Sequence, residues 1–255
     1  SQGRCEFVAN AIYAKLGINS VRSQLLEIDG RAAIASEEVP SPSAASPVSM
    51  RESQDVLSGF VADAYLANWD VVGMSYDNIV QSSDGRMYRV DNGGSLIFRA
   101  RGGDKDYQSD NISELDSMKN TNDPRSGSSA TVFSVLEEGQ LKIQATHLVN
   151  TLTVEVIDQI LTQSGLEGEE LRRVREGLLG RREYLIKRFQ IATEEKSSPK
   201  IETTEIYGKE PDRRSFTEIL GEVIEQPNPE NFQLWDVKEV ICDSYYLIKA
   251  WVRPE

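Results

Sequence analysis

Two short β-prone runs, residues 78–81 and 86–90, meet across Ser83-Asp84-Gly85, which has the composition of a tight turn. Paired as a hairpin, they bring Asn78, which opens the first run, next to Asp91-Asn92-Gly93-Gly94, which follows the second. Upstream, Val56, Phe60, Ala64, Ala67 and Val71 recur every three or four residues and predict one long helix over residues 52–72, whose end delivers Asp70 to a loop. Two aspartates and an asparagine are thereby set at the ends of local elements, where side chains are free to meet a ligand.

The rest of the chain is read by the same periodicities. Phe7, Val8, Ile12, Tyr13 and Leu16 predict an amphipathic helix over residues 5–16, closed by Gly17. Residues 23–39 read as a hairpin turning at Asp29-Gly30, and residues 40–50, rich in Pro, Ser and Ala, as an exposed connector. Residues 102–129 are dense in Gly, Asp, Asn and Ser and predict a long irregular, mobile segment. Helical spacing continues to about Glu195, including residues 149–164 and 169–192. Its basic run Arg172-Arg173-Val174-Arg175 with Arg181-Arg182 is interleaved with Glu as on a solvated, salt-bridged face. Residues 197–211 read as a linker, followed by a short helix from Phe216, the run Phe232-Gln233-Leu234-Trp235-Asp236 and the β-prone Tyr245-Tyr246-Leu247-Ile248. The fold class is therefore α+β.

Composition narrows the function. With 255 residues there is room for one sizeable core or two smaller ones. No stretch approaches the roughly 18 to 20 apolar residues of a membrane span, and the first twenty residues lack a signal-peptide layout, so a cytoplasmic protein without membrane contact is expected. Cys5 and Cys242 lie near opposite ends and His147 is the single histidine, which leaves no zinc-type cluster and favours reduced thiols. A formal charge of −13, from 28 basic and 41 acidic residues, opposes the phosphate neutralisation on which nucleic-acid binding depends. Trp69 and Tyr13 read as core anchors and His147 as structural.

An Asp-Asn-Gly-Gly string alone is the composition of a turn; the order of elements says more. Asp77-Asn78-Ile79, the hairpin, and Val90-Asp91-Asn92-Gly93 together resemble the catalytic centre of the protein-kinase-like superfamily, above all its HipA-like, actin-fragmin-kinase-like and phosphoinositide-kinase-like branches. The resemblance implies a protein-kinase-like fold and an ATP- and Mg²⁺-dependent phosphotransferase acting on a hydroxyl of a protein or small molecule. It assigns Asn78 and Asp91 to the metal. Glu6 stands where such folds carry the glutamate that pairs with a nucleotide-binding lysine. Ser36-Glu37-Glu38-Val39-Pro40 resembles the hinge that holds the adenine, which places Glu37 and Val39, with Gly93, on the nucleotide. Arg99 and Arg101, just past Asp91, fall near the centre as contacts to phosphate or a phosphorylated segment.

Two departures qualify the likeness. The position five residues before Asn78, where kinases carry the catalytic aspartate, is Gly73, so the base is assigned to Asp70, with Asp77 as the other candidate. Nothing before Glu6 supplies a Gly-rich loop or a lysine-bearing strand. The expected organisation is a small-lobe remnant at 1–40, a kinase-like large lobe at 41–195 and a linker with an α/β extension at 196–255. The rest of the small lobe then comes from a longer chain, from elsewhere in this one or from a partner. The competing expectations are an inactive kinase-like binding module and a structural or assembly protein.

Overall fold

The computed structural model describes residues 1–28, 31–123, 126–193, 239–242 and 245–248. The expected turn at Asp29-Gly30, the linker at 197–211, the helix from Phe216 and the run Phe232 to Asp236 lie outside these. The architecture is mixed: helices dominate, and the strands form small antiparallel sheets.

Helix α1 (Gln2–Lys15) starts three residues earlier than its apolar spacing predicts, and Gly17 follows it at φ 69°. It packs on the hairpin of β1 (Ser23–Ile28) and β2 (Arg31–Ser36), whose register pairs Ile28 with Arg31 and Ser23 with Ser36 as a two-residue turn requires. Next, β3 (Ser43–Ala44) adds to the edge of β4 (Ile79–Gln81), which pairs with β5 (Met87–Arg89).

The connector expected at 40–50 instead contains β3 and the start of helix α2 (Pro47–Glu52), which buries Met50. Its start signals are local: Pro47 occupies the first turn, and Ser46 and Ser49 cap one another's backbone N–H groups. The single helix expected over 52–72 is in fact two pieces, α3 (Gln54–Leu57) and α4 (Phe60–Tyr65). Between them a Cβ on Gly59 would collide with the guanidinium of Arg89. Asp70 thus lies in a loop beyond α4, past Ala67 at φ 51°.

The segment expected to be irregular and mobile carries α5 (Glu114–Ser117) and the start of α6 (Gly127–Phe133), and buries Lys105, Tyr107, Ile112, Leu115 and Met118. Helices α7 (Glu138–Thr151), α8 (Val154–Gln163) and α9 (Gly168–Phe189) follow. Segment 105–114 is pinned across α9, where a Cβ on Gly177 would overlap the Tyr107 ring. There Arg181 donates to the carbonyls of Gln108, Asn111 and Ala64 and to Glu114. Arg181 is therefore buried rather than part of the solvated face, whereas Arg172, Arg173 and Arg175 do pair with surface acids.

One hydrophobic core runs from Cys5, Val8 and Ile12 through Phe60, Leu66 and Phe133 to Leu178 and Phe189, so α1 and the later helices share it. Each such side chain, fully buried, contributes about 1.5–3 kcal/mol of transfer free energy. Cys5 is a free thiol that burial pushes up to about 12. His147 meets the Leu16 carbonyl through Nε2 at 3.0 Å, the structural role expected of it. The hairpin of β6 (Glu239–Cys242) and β7 (Tyr245–Ile248) lies with β7 alongside β2.

Candidate active site

The loop after α4 is held by its own backbone and by one asparagine. The Gly73 N–H donates to the Asp70 carbonyl at 2.9 Å, and the Asn78 side-chain amide donates to the same carbonyl at 2.7 Å. Gly73 has φ 74°, and a Cβ there would overlap Oδ1 of Asp77. A side chain at this position, aspartate included, would carry both backbone strain and a collision. The sequence position that kinases give to their catalytic aspartate is closed in this chain.

The hairpin brings the other residues to the same end. Ile79 pairs with Arg89, and the Val90 N–H donates to the Asn78 carbonyl at 2.9 Å, so Asn78 and Asp91 leave the sheet side by side. Asp91 adopts the left-handed conformation, φ 55° and ψ 55°, and starts a single 3₁₀ turn (Asn92–Gly94). Non-glycine residues take this conformation uncommonly, and mostly where surrounding contacts impose it. The next residue, Asn92, is held on several sides: its amide donates to Oδ1 of Asn10 at 2.8 Å and to Oγ of Ser20 at 3.1 Å while its oxygen accepts from Asn68 at 3.0 Å.

Asn68 in turn reaches the hydroxyl of Tyr13, which donates to Asp63 at 2.9 Å. Asp63 also takes two hydrogen bonds, of 2.7 and 2.8 Å, from Arg89. A buried polar chain therefore runs from Arg89 through Asp63, Tyr13, Asn68 and Asn92 to α1, and fixes the turn that carries Asp91. Tyr13 is buried as expected, but its hydroxyl belongs to this chain rather than to an apolar stripe.

Helix α1 supports the turn from its other side. Gln2 donates to the Gly93 carbonyl at 2.8 Å, and Glu6 is buried with its carboxylate 3.2 Å from where a Cβ on Gly93 would stand. Lys105 completes the joint: its buried ammonium donates to the carbonyls of Ala67 at 2.6 Å and Gly94 at 2.7 Å, tying the end of α4 to the 3₁₀ turn. Burial lowers its pKa to about 7.

Asp70, half-buried, is raised above the usual carboxylate range, first by desolvation and then by the negative charges of Asp91 and Asp77. The charges of Asp91 and Asp77 thus reach Asp70, whose carbonyl also takes the Asn78 amide. Beside them opens a cleft of about 740 Å³ whose lining includes Trp69, Asp70, Met74, Arg99, Arg101 and Lys105. Trp69 is only partly buried, so it serves the cleft as well as the core.

Of the residues singled out from the sequence, Asp70, Asp77, Asn78 and Asp91 come together, Glu6 and Gly93 adjoin them, and Arg99 and Arg101 line the cleft. Glu37 is exposed and Val39 buried, and among the described residues no hydrogen bond or ion pair joins either to the cluster. Lys105, Gln2 and Asn92 were not foreseen as site residues. A lysine in a polar stretch reads as solvated, and only the Asn-rich character of 68–92 hinted at a hydrogen-bonded interior.

No family model matches the chain, and no curated protein does. Among solved structures, the crystal structure of a Helicobacter pylori proinflammatory kinase, CtkA, is similar at 15% identity and a TM-score of 0.44, over 73% of this chain and 77% of that one. The likeness to a kinase is a loose one. No helix among the described residues is long and apolar enough to cross a membrane.

Proposed function

We propose that this chain is an ATP- and Mg²⁺-dependent phosphotransferase acting on a hydroxyl, with Asp70 orienting and deprotonating the acceptor and Asn78 and Asp91 holding the metal. The observation that carries the reading is the double use of Asn78. Its NH₂ donates to the Asp70 carbonyl, which fixes the loop, and its amide oxygen is a hard donor on the residue that leaves the hairpin at the same end as Asp91.

The donor set fits Mg²⁺. Among the described residues no group of three or more His, Cys, Asp or Glu forms a cage. Mg²⁺ is commonly bound through one or two carboxylates completed by substrate phosphates and water, which a pair of oxygens suits. Bound there, the metal would neutralise charge on the transferring phosphoryl group. The chain's own residues then do the positioning. The polar chain and Lys105 hold the segments that carry Asp91 and Asp70, and Asp70, raised first by burial and then by its acidic neighbours, would accept the hydroxyl proton as the acceptor oxygen bonds to the γ-phosphorus and ADP departs with the bridging oxygen. The hairpin β6–β7 alongside β2 supports a small lobe assembled from both ends of this chain, 1–40 and the C-terminal strands.

A second reading is a kinase-like module that binds without turnover, and the closed position at Gly73 favours it. Calorimetry of MgATP binding and γ-phosphoryl transfer, measured on the full chain and on Asp91→Ala and Asp70→Asn, separates the two. Turnover requires binding that Asp91→Ala abolishes and transfer that Asp70→Asn abolishes. Binding without transfer leaves the module, and no binding at all overturns both.

A further inference from the structure

We infer that the cleft beside Asp70 takes a peptide whose acceptor hydroxyl is flanked by acidic side chains, an assignment that rests on the phosphotransferase reading and names its acceptor. Some charges in the cleft are already committed. Arg181 is paired with Glu114 and three carbonyls, and Lys105 is spent on the carbonyls of Ala67 and Gly94. Arg99 and Arg101 are exposed, and neither makes an ion pair with a carboxylate among the described residues; Arg99 gives only Nε, to the Asp104 carbonyl.

Arg101 nevertheless stands near enough to Asp70 for its charge to act on that carboxylate. In a chain of net charge −13, Arg99 and Arg101 line a cleft that contains Asp70, with Asp106 as an exposed carboxylate in the same lining. Guanidinium forks match carboxylate and phosphate oxygens in pairs. A molecule seated with its hydroxyl at Asp70 would meet them with whatever lies next to that hydroxyl.

Met74, 83% exposed on the Asp70 loop itself, edges the cleft and argues for a peptide. An exposed thioether next to the reacting position adapts to varied side chains. It gives an extended chain an apolar hold on one side of its hydroxyl, with the two arginines gripping acidic neighbours on the other.

The test uses the full chain, a serine peptide with aspartates around the acceptor, and its Asp→Asn counterpart. Binding is followed by fluorescence anisotropy in the presence of MgATP analogue, and phosphorylation by transfer from labelled ATP. The expected result is preference for the acidic peptide by about tenfold, the order expected of two exposed charge pairs. The preference should be lost in Arg99→Gln/Arg101→Gln. Equal transfer to both peptides, or a preference that survives in the double variant, overturns the inference and leaves the phosphotransferase reading intact. Acidic-peptide binding that depends on the arginines without any transfer sustains the cleft's specificity and overturns turnover instead.

Discussion

The Asn78 side chain donates to the Asp70 carbonyl at 2.7 Å across eight residues of loop. One asparagine thereby couples the proposed base to the proposed metal site. Asn78→Asp separates the two duties, because an aspartate keeps an oxygen donor for the metal but cannot donate to a carbonyl. MgATP affinity in this variant should stay within a few-fold of wild type, while kcat falls by about a hundredfold as Asp70 loses its tether. A variant in which kcat is untouched would mean that the tether does not position Asp70.

Gly73 makes the same loop possible. In Gly73→Ala the left-handed backbone costs about 1–3 kcal/mol, and the new methyl displaces Asp77 from the place its carboxylate now occupies. Denaturant unfolding should register that loss, and transfer should fall further than stability explains. If stability and transfer are both unchanged, the loop does not have the conformation described.

Local pattern was enough for some of this. Helix α1 and the hairpins β1–β2 and β4–β5 follow from apolar spacing and turn composition, and the convergence of Asn78 with Asp91 follows from the hairpin alone. The break between α3 and α4 was illegible, because its cause is an arginine thirty residues downstream that needs the space over Gly59. Helix α2 is not legible in the sequence despite its Pro47 and serine caps, since Pro and Ser also compose loops. Lys105 and Arg181 were illegible for another reason. Burial of a charged side chain is decided by the carbonyls and acids that the tertiary fold gathers around it.

Lys105 gives the protein a distinctive pH dependence. Its pKa falls from 10.5 to about 7 on folding, so between those values the unfolded chain binds the extra proton and stability rises with pH. The slope approaches about 1.4 kcal/mol per pH unit. Cys5, raised from 9.0 to about 12, acts oppositely above pH 9, where the unfolded thiol ionises first. Unfolding midpoints should therefore climb from pH 7 to about 9, level off, and fall above pH 10, where burial keeps Tyr13, Tyr65 and Tyr107 protonated only in the folded state. Lys105→Met should flatten the climb; a climb of unchanged slope would assign it to other groups.

The Arg89–Asp63 pair is the remaining test of how the site is held. Both side chains are buried, at 1% and 0% exposure, and Arg89 also donates to the carbonyls of Asp55 and Val56, so it binds α3 and α4 to the strand that leads into Asp91. Arg89→Met leaves Asp63 as a buried carboxylate with only the Tyr13 hydroxyl for support. Loss of one partner from such a pair costs about 3–5 kcal/mol. Replacing both, as Arg89→Met/Asp63→Leu, removes the stranded charge and should recover much of that cost. Function should not recover with it, because Tyr13, Asn68 and Asn92 lose the acceptor that orders their chain up to the 3₁₀ turn. Denaturant midpoints alongside MgATP affinity distinguish the two effects. A double variant restored in stability and still weak in MgATP binding assigns the polar chain to positioning Asp91. One restored in both would make the pair purely structural.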